Sequence, residues 1–202
     1  MSGNAEKPGL LAVISGPSGV GKSTLIQHLL RDERFALSVS CTTRAPRAGE
    51  REGVDYYFID RPEFERRIAA GDFLEHAVVH GRHLYGTLRS EVERLVALGR
   101  IVILDIDVQG GEALRVKRVP GYFLFIAPPD QEALAQRLRG RSTESADELE
   151  RRLETARMEL QKTDLYDRVV VNDDLGATTE EVRRLLESAA LDLRSPHARK
   201  TR

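Results

Sequence analysis

Residues 10–30 read Leu10-Leu11-Ala12-Val13-Ile14-Ser15-Gly16-Pro17-Ser18-Gly19-Val20-Gly21-Lys22-Ser23-Thr24-Leu25-Ile26-Gln27-His28-Leu29-Leu30. The apolar run at 10–14 has the pattern of a buried strand, and from 22 to 30 apolar residues recur at helical spacing. Between them, residues 16–23 fit G-x-x-x-x-G-K-[ST], the phosphate-cradling P-loop, in the strand–turn–helix setting that gives the pattern its meaning. In such a loop the backbone N–H groups point at phosphate oxygens, and the following helix N-terminus favours negative charge. Gly16, Pro17, Ser18, Gly19, Val20, Gly21 and Thr24 are therefore expected around the phosphates of a nucleoside triphosphate. Lys22 would reach its outer phosphates, and the Ser23 hydroxyl would ligate Mg²⁺.

The pattern outward from this stretch is that of an α/β fold. Further short apolar runs at 35–39, 101–104, 122–126 and 169–171 read as buried parallel strands, and amphipathic helical stretches are expected at 88–98, 131–138 and 179–193. Ligands in such sheets bind beyond the carboxyl ends of the strands, where the P-loop sits. Two segments break the alternation. Residues 41–87 carry β-like runs at 56–59 and 73–79 with a short helix at 62–70 between them, the outline of an inserted small mixed sheet. Residues 130–163 are highly charged, with Leu149, Leu153, Ala156 and Leu160 on one narrow helical face. That segment is either a solvated helix or a mobile lid carrying phosphate-binding arginines.

Composition narrows the partners. With 31 Lys+Arg against 32 Asp+Glu in 202 residues, the net charge of −1 gives no global pull toward nucleic acid or membrane. No apolar run approaches the ~20 residues of a membrane span. The lone Cys41 cannot build a disulfide framework, which fits a reduced, cytoplasmic setting. Residues 1–9 and 195–202 read as polar tails flanking one domain at 10–194.

A P-loop needs a metal-side carboxylate, and Ile101-Val102-Ile103-Leu104-Asp105 supplies one at a strand end. Asp105 would act through water, since Mg²⁺ keeps several of its waters. Asp107 offers a second carboxylate two residues on. The segment 40–58 then separates hydrolysis from transfer to an acceptor. Arg44 and Arg47 flank a turn containing Pro46, and two guanidinium forks suit a phosphate dianion. Tyr56 adds a hydroxyl, and Ser40 and Glu50 add polar groups. Glu75 is a candidate to accept paired N–H donors, which would select guanine over adenine.

Thr42, Thr43, Arg44, Arg47, Glu50, Gly53, Tyr56 and Phe58 fill the signature T-[ST]-R-x-x-[KR]-x-x-[DE]-x-x-G-x-x-Y-x-[FY]. In this the chain resembles guanylate kinases. The likeness extends to Leu84-Tyr85-Gly86-Thr87, to Asp105-Ile106-Asp107-Val108-Gln109-Gly110 and to Val171-Asn172-Asp173-Asp174, and covers about residues 10–190. It implies a P-loop nucleoside monophosphate kinase fold: a parallel-sheet core (10–40, 88–129, 164–194), a GMP-binding subdomain (41–87) and a helical lid (130–163). It implies phosphoryl transfer from ATP to GMP in purine metabolism, with Mg²⁺ as cofactor and dGMP left open as a second acceptor. The acceptor phosphate would be held at Arg44, Arg47, Tyr56 and Tyr85. Ser40, Glu75 and Thr87, with a strand-end acid at Asp105 or Asp107, would read the guanine, and Glu50 would lie beside them. Arg137, Arg141 and Arg152 would be the lid arginines, and Asn172 would lie near the adenine. Two other readings of the same scaffold are a ribose 1,5-bisphosphate phosphokinase and a non-catalytic interaction module; a P-loop ATPase or GTPase switch is a third. Monomer and homo-oligomer both remain open.

Overall fold

The computed structural model describes residues 8–79, 82–139 and 146–192. In chain order its elements are β1 (Leu10–Ser15), α1 (Lys22–Leu29), β2 (Phe35–Leu37), β3 (Ser40–Thr42), β4 (Tyr57–Phe58), α2 (Arg61–Ala70), β5 (Phe73–Val79), β6 (His83–Leu88), α3 (Arg89–Ala97), β7 (Ile101–Asp105), α4 (Val108–Val116), β8 (Tyr122–Ala127), α5 (Gln131–Arg139), α6 (Ala146–Leu160), β9 (Arg168–Val171) and α7 (Leu175–Asp192), with a 3₁₀ turn at Thr163–Leu165 before β9. Residues 1–7, 80–81, 140–145 and 193–202 lie outside the described residues, and with them Arg141 and nearly all of the expected tails at 1–9 and 195–202.

Five strands form a parallel sheet in the order β2-β7-β1-β8-β9. β1, at its centre, is buried along its whole length, as a strand covered by helices on both faces must be. Its two faces feed separate cores. Ala12 and Ile14 pack with Leu25, Leu29, Val182 and Leu186 of α1 and α7, while Leu11 and Val13 pack with Val92, Leu114 and Phe125 toward α3 and α4. No helix among the described residues is long and apolar enough to cross a membrane.

The expected strand at 35–39 is divided. β2 stops at Leu37, Ser38 N still donates to Ile103 O (3.0 Å), and Ser40 already belongs to a second sheet ordered β4-β3-β6-β5. On one face of that sheet Cys41, Phe73 and Leu84 pack against Phe64 of α2, and the Phe64 and Phe73 rings stack at 4.5 Å. Gly86 sits beneath them, where an added Cβ would meet Phe73 Cδ1 at 2.9 Å and Phe64 Cζ at 3.0 Å. Gly86→Ala is expected to destabilise the chain by about 1–3 kcal/mol through overpacking, read as a lower midpoint in urea unfolding; an unchanged midpoint would contradict this packing.

The sequence pattern does not mark α4, because Gly110-Gly111 resembles a turn. The helix forms because the Asp107 carboxylate caps it, accepting from Gly110 N at 2.8 Å. α7 likewise starts at Leu175, four residues before its expected beginning, because Asp174 accepts from Ala177 N at 2.7 Å. In the charged segment Leu149, Leu153 and Ala156 of α6 pack on Leu134 and Leu138 of α5, and Leu160 packs on the main core. The charged helix therefore has a core of its own.

Candidate active site

β1 ends at Ser15 and the chain turns through Gly16, Gly19 and Gly21, all at positive φ, into α1. Gly21 is required twice: its φ is 99°, and a Cβ there would come within 2.5 Å of Asn172 Nδ2. α1 has no side-chain cap, so its first N–H groups point into the loop available to an anion. Lys22 Nζ stands 3.0 Å from Asp105 Oδ1 across the β1–β7 pair. The strand-end carboxylate thus lies at the P-loop, as expected, while Asp107 serves as the α4 cap.

Two arginines of the charged segment, Arg137 on α5 and Arg152 on α6, reach the same loop. Arg137 Nη1 donates to Asn172 O (2.9 Å) and Val20 O (3.3 Å), and Arg152 Nη2 donates to Ser18 Oγ (2.7 Å). Asn172 is buried; its Nδ2 donates to Val20 O (2.7 Å), and its Oδ1 has no partner among the described residues. Gly21, Thr24, Arg137, Asn172 and Asp173 line a cleft of ≈ 370 Å³ beside the loop.

The second sheet builds the other half. Strand register sets Ser40 opposite Thr87 and Thr87 opposite Glu75, so three residues far apart in sequence form one row across β3, β6 and β5. Thr87 Oγ1 donates to Glu75 Oε1 at 2.7 Å, and both residues are buried. Ser40 and Glu75, with Tyr56, Tyr85, Asp105 and Asp107, line a cavity of ≈ 150 Å³ between this sheet and the end of β7. Burial pushes the Glu75 carboxyl above the ordinary glutamate range; its hydrogen bond from Thr87 opposes this, Asp107 adds to it, and Lys117 also opposes it.

At the cavity mouth Arg44 is held on several sides. Its Nη1 and Nη2 donate to Glu50 Oε2 (3.0 Å) and Oε1 (2.8 Å), and its Nε donates to Tyr85 Oη (3.1 Å). The guanidinium lies 5.5 Å from the centre of the Tyr56 ring. Glu50 also accepts from Arg47 N (2.7 Å), which closes the 44–50 loop. The bond from Arg44 holds the Glu50 carboxyl below the usual range. Glu50 therefore stands behind Arg44 as its orienting partner. The Arg47 side chain is exposed at the loop tip. Ser23 is exposed at the start of α1. Two features escaped sequence reasoning: the Asp107 cap and the contact of Lys117 Nζ with Leu74 O (3.0 Å). An Asp followed three residues later by a glycine N–H was the readable signal for the first; Lys117 left none.

Residues 9–189 match the family model described as guanylate kinase. The chain is 49% identical over 183 residues to the guanylate kinase of Symbiobacterium thermophilum, covering 90% of this chain and 86% of that one. It is 44% identical over 180 residues to that of Fusobacterium nucleatum, covering 89% and 97%. Among solved structures it is similar to guanylate kinase from Anaplasma phagocytophilum, with TM-score 0.69 and 35% identity over 92% of this chain and 88% of the other.

Proposed function

The chain belongs to the guanylate kinase family, an ATP:GMP phosphotransferase, and from that premise we propose which of its residues do the work. ATP lies along the P-loop with its adenine toward Asn172, and GMP occupies the ≈ 150 Å³ cavity with its base on the Ser40–Thr87–Glu75 row. The observation that carries this reading is the row itself. A buried carboxylate facing two hydroxyl residues offers acceptors to the N1–H and 2-amino groups of guanine and hydroxyls to its O6 and N7. A base without that donor edge leaves Glu75 unpaired, which is how a polar site rejects an analogue.

The acceptor phosphate, mostly dianionic at pH 7 by analogy with phosphate second pKa values of ~6, attacks without a general base. Arg44, oriented by Glu50 and Tyr85, holds it together with Arg47 and Tyr56, and Lys22 neutralises the β- and γ-phosphates of ATP. Arg137 and Arg152 close over the transferring group; Arg141 is proposed from the family pattern alone. Closure excludes water and so suppresses hydrolysis. Ser23 and Asp105 offer two hard oxygen donors, a set that fits Mg²⁺ sharing its sphere with water and phosphates. When bound, Mg²⁺ would offset phosphate charge. The second sheet (41–87) is the GMP arm and 130–163 the lid. A lone free cysteine, Cys41, whose thiol burial pushes up to about 11, fits a reduced cytoplasmic setting; a role in purine metabolism follows from GMP as the acceptor.

ADP formation from ATP with GMP, dGMP, AMP, UMP, CMP or ribose 1,5-bisphosphate as sole acceptor tests the substrate assignment. Rapid turnover with guanine nucleotides alone is expected; turnover with the ribose bisphosphate instead would discard the guanine row. Arg44→Ala is expected to lower kcat/KM for GMP about 10²-fold, the worth of a charge-assisted contact, with KM for ATP unchanged. Full activity would remove Arg44 from the site.

A further inference from the structure

The guanine row exists because of an irregularity in β5. Strict alternation would place Phe73, Glu75 and Ala77 on one face. Phe73 pairs with Leu88, but Glu75 pairs with Thr87, so two residues on β5 answer one on β6, and Leu74 is the extra residue of a β-bulge. The bulge sends Phe73 into the small core under α2, Leu74 into the main core and Glu75 into the cavity. The carbonyl of Leu74 takes its hydrogen bond from Lys117 Nζ, at the C-terminal end of α4. Charged and hydroxyl groups surround Glu75 from neighbouring elements: Thr87 on β6 and Ser40 beyond it on β3, Asp107 before α4, and Lys117 after it. Lys117 is the cation among them.

We infer that Lys117 is a positioning residue for guanine recognition: bound to the Leu74 carbonyl, it fixes the bulge that aims Glu75 into the cavity. The inference rests on the reading that Glu75 receives the guanine edge. α4 is capped at its other end by Asp107, next to Asp105, so one short helix links the phosphate-side turn to the base-reading strand.

The test measures KM for GMP and for ATP, kcat, and calorimetric GMP binding in the full chain and in Lys117→Met, Lys117→Arg and Glu75→Gln. Lys117→Met keeps the apolar stem and is expected to raise KM and Kd for GMP about tenfold, one charge-assisted hydrogen bond. KM for ATP and the thermal midpoint are expected to stay as they were. Lys117→Arg is expected to recover most of the loss. The GMP defect of Lys117→Met should widen as pH falls, because the carboxylate then protonates more readily. Weak GMP binding in Glu75→Gln with normal binding in Lys117→Met would overturn the inference and leave the guanine reading standing. Equal losses toward ATP and GMP with a lowered midpoint would reduce Lys117 to a general structural contact and overturn it. Normal GMP binding in Glu75→Gln would overturn the guanine reading and this inference with it.

Discussion

Replacing Lys22 with alanine is expected to lower turnover at saturating ATP and GMP by about 10³–10⁴-fold, in the range for removing a cation from a phosphoryl-transfer site. The fold should survive. Lys22 is the first residue of α1, and among the described residues its ion pair is with Asp105, whose side chain is partly exposed. The core around it is apolar and does not include the ammonium. The loss should fall on kcat more than on KM, because charge builds on the phosphates as the transfer proceeds. Single-turnover quench with a thermal midpoint on the same preparation checks both halves. Near-normal turnover would remove Lys22 from the chemistry; a collapsed midpoint would show that its pairing with Asp105 holds the fold.

Glu75→Gln is expected to cost about 10³-fold in kcat/KM for GMP, approaching the discrimination of sites built to hydrogen-bond their substrate. Glutamine keeps the shape and the bond from Thr87 but presents an N–H₂ donor where guanine also donates. Kinetics with AMP should be unchanged or better, since an amide can pair with adenine. Stability should move the other way. Burial raises the Glu75 pKa above its unfolded value. Such a group stabilises the fold while protonated and loses that contribution as pH rises through the folded value. At neutral pH the ionised carboxylate is a net cost, so the unliganded variant should melt no lower than the parent. In the parent, GMP affinity should fall as pH drops through the raised value, at a higher pH than an ordinary glutamate would give, while Glu75→Gln should show no such step. A variant that melts lower and keeps its GMP preference would invert both expectations.

The P-loop and the five parallel strands were legible in the sequence because each rests on local signals: apolar runs, a glycine turn and helical periodicity. The second sheet was only half legible. β3 is three residues long, and in β6 the alternation of Leu84, Gly86 and Leu88 is broken by the glycine that the Phe64–Phe73 stack demands. Glu75 and Ser40 were candidates from their own residue types, but the row they form with Thr87 was named only through family resemblance. Its physical basis is non-local: Ser40, Thr87 and Glu75 meet through strand register, and the Leu74 bulge puts Glu75 on the face that simple alternation denies it. The spacing of Arg44 and Arg47 marks them as candidate phosphate ligands, but the bidentate grip of Glu50 on Arg44 depends on how the 44–50 loop closes. The apolar stripe of α6 was legible in a charged segment; that Arg152 meets Ser18 and Arg137 meets Val20 was not.

The most direct test of the base-reading row is calorimetric binding of GMP and of inosine monophosphate, which lacks the 2-amino group, to the parent and to Glu75→Gln. The parent is expected to prefer GMP by about tenfold or more, the worth of one hydrogen bond to a charged acceptor, and the variant to bind the two nucleotides alike. An unchanged preference in the variant would mean that guanine is read elsewhere in the cavity.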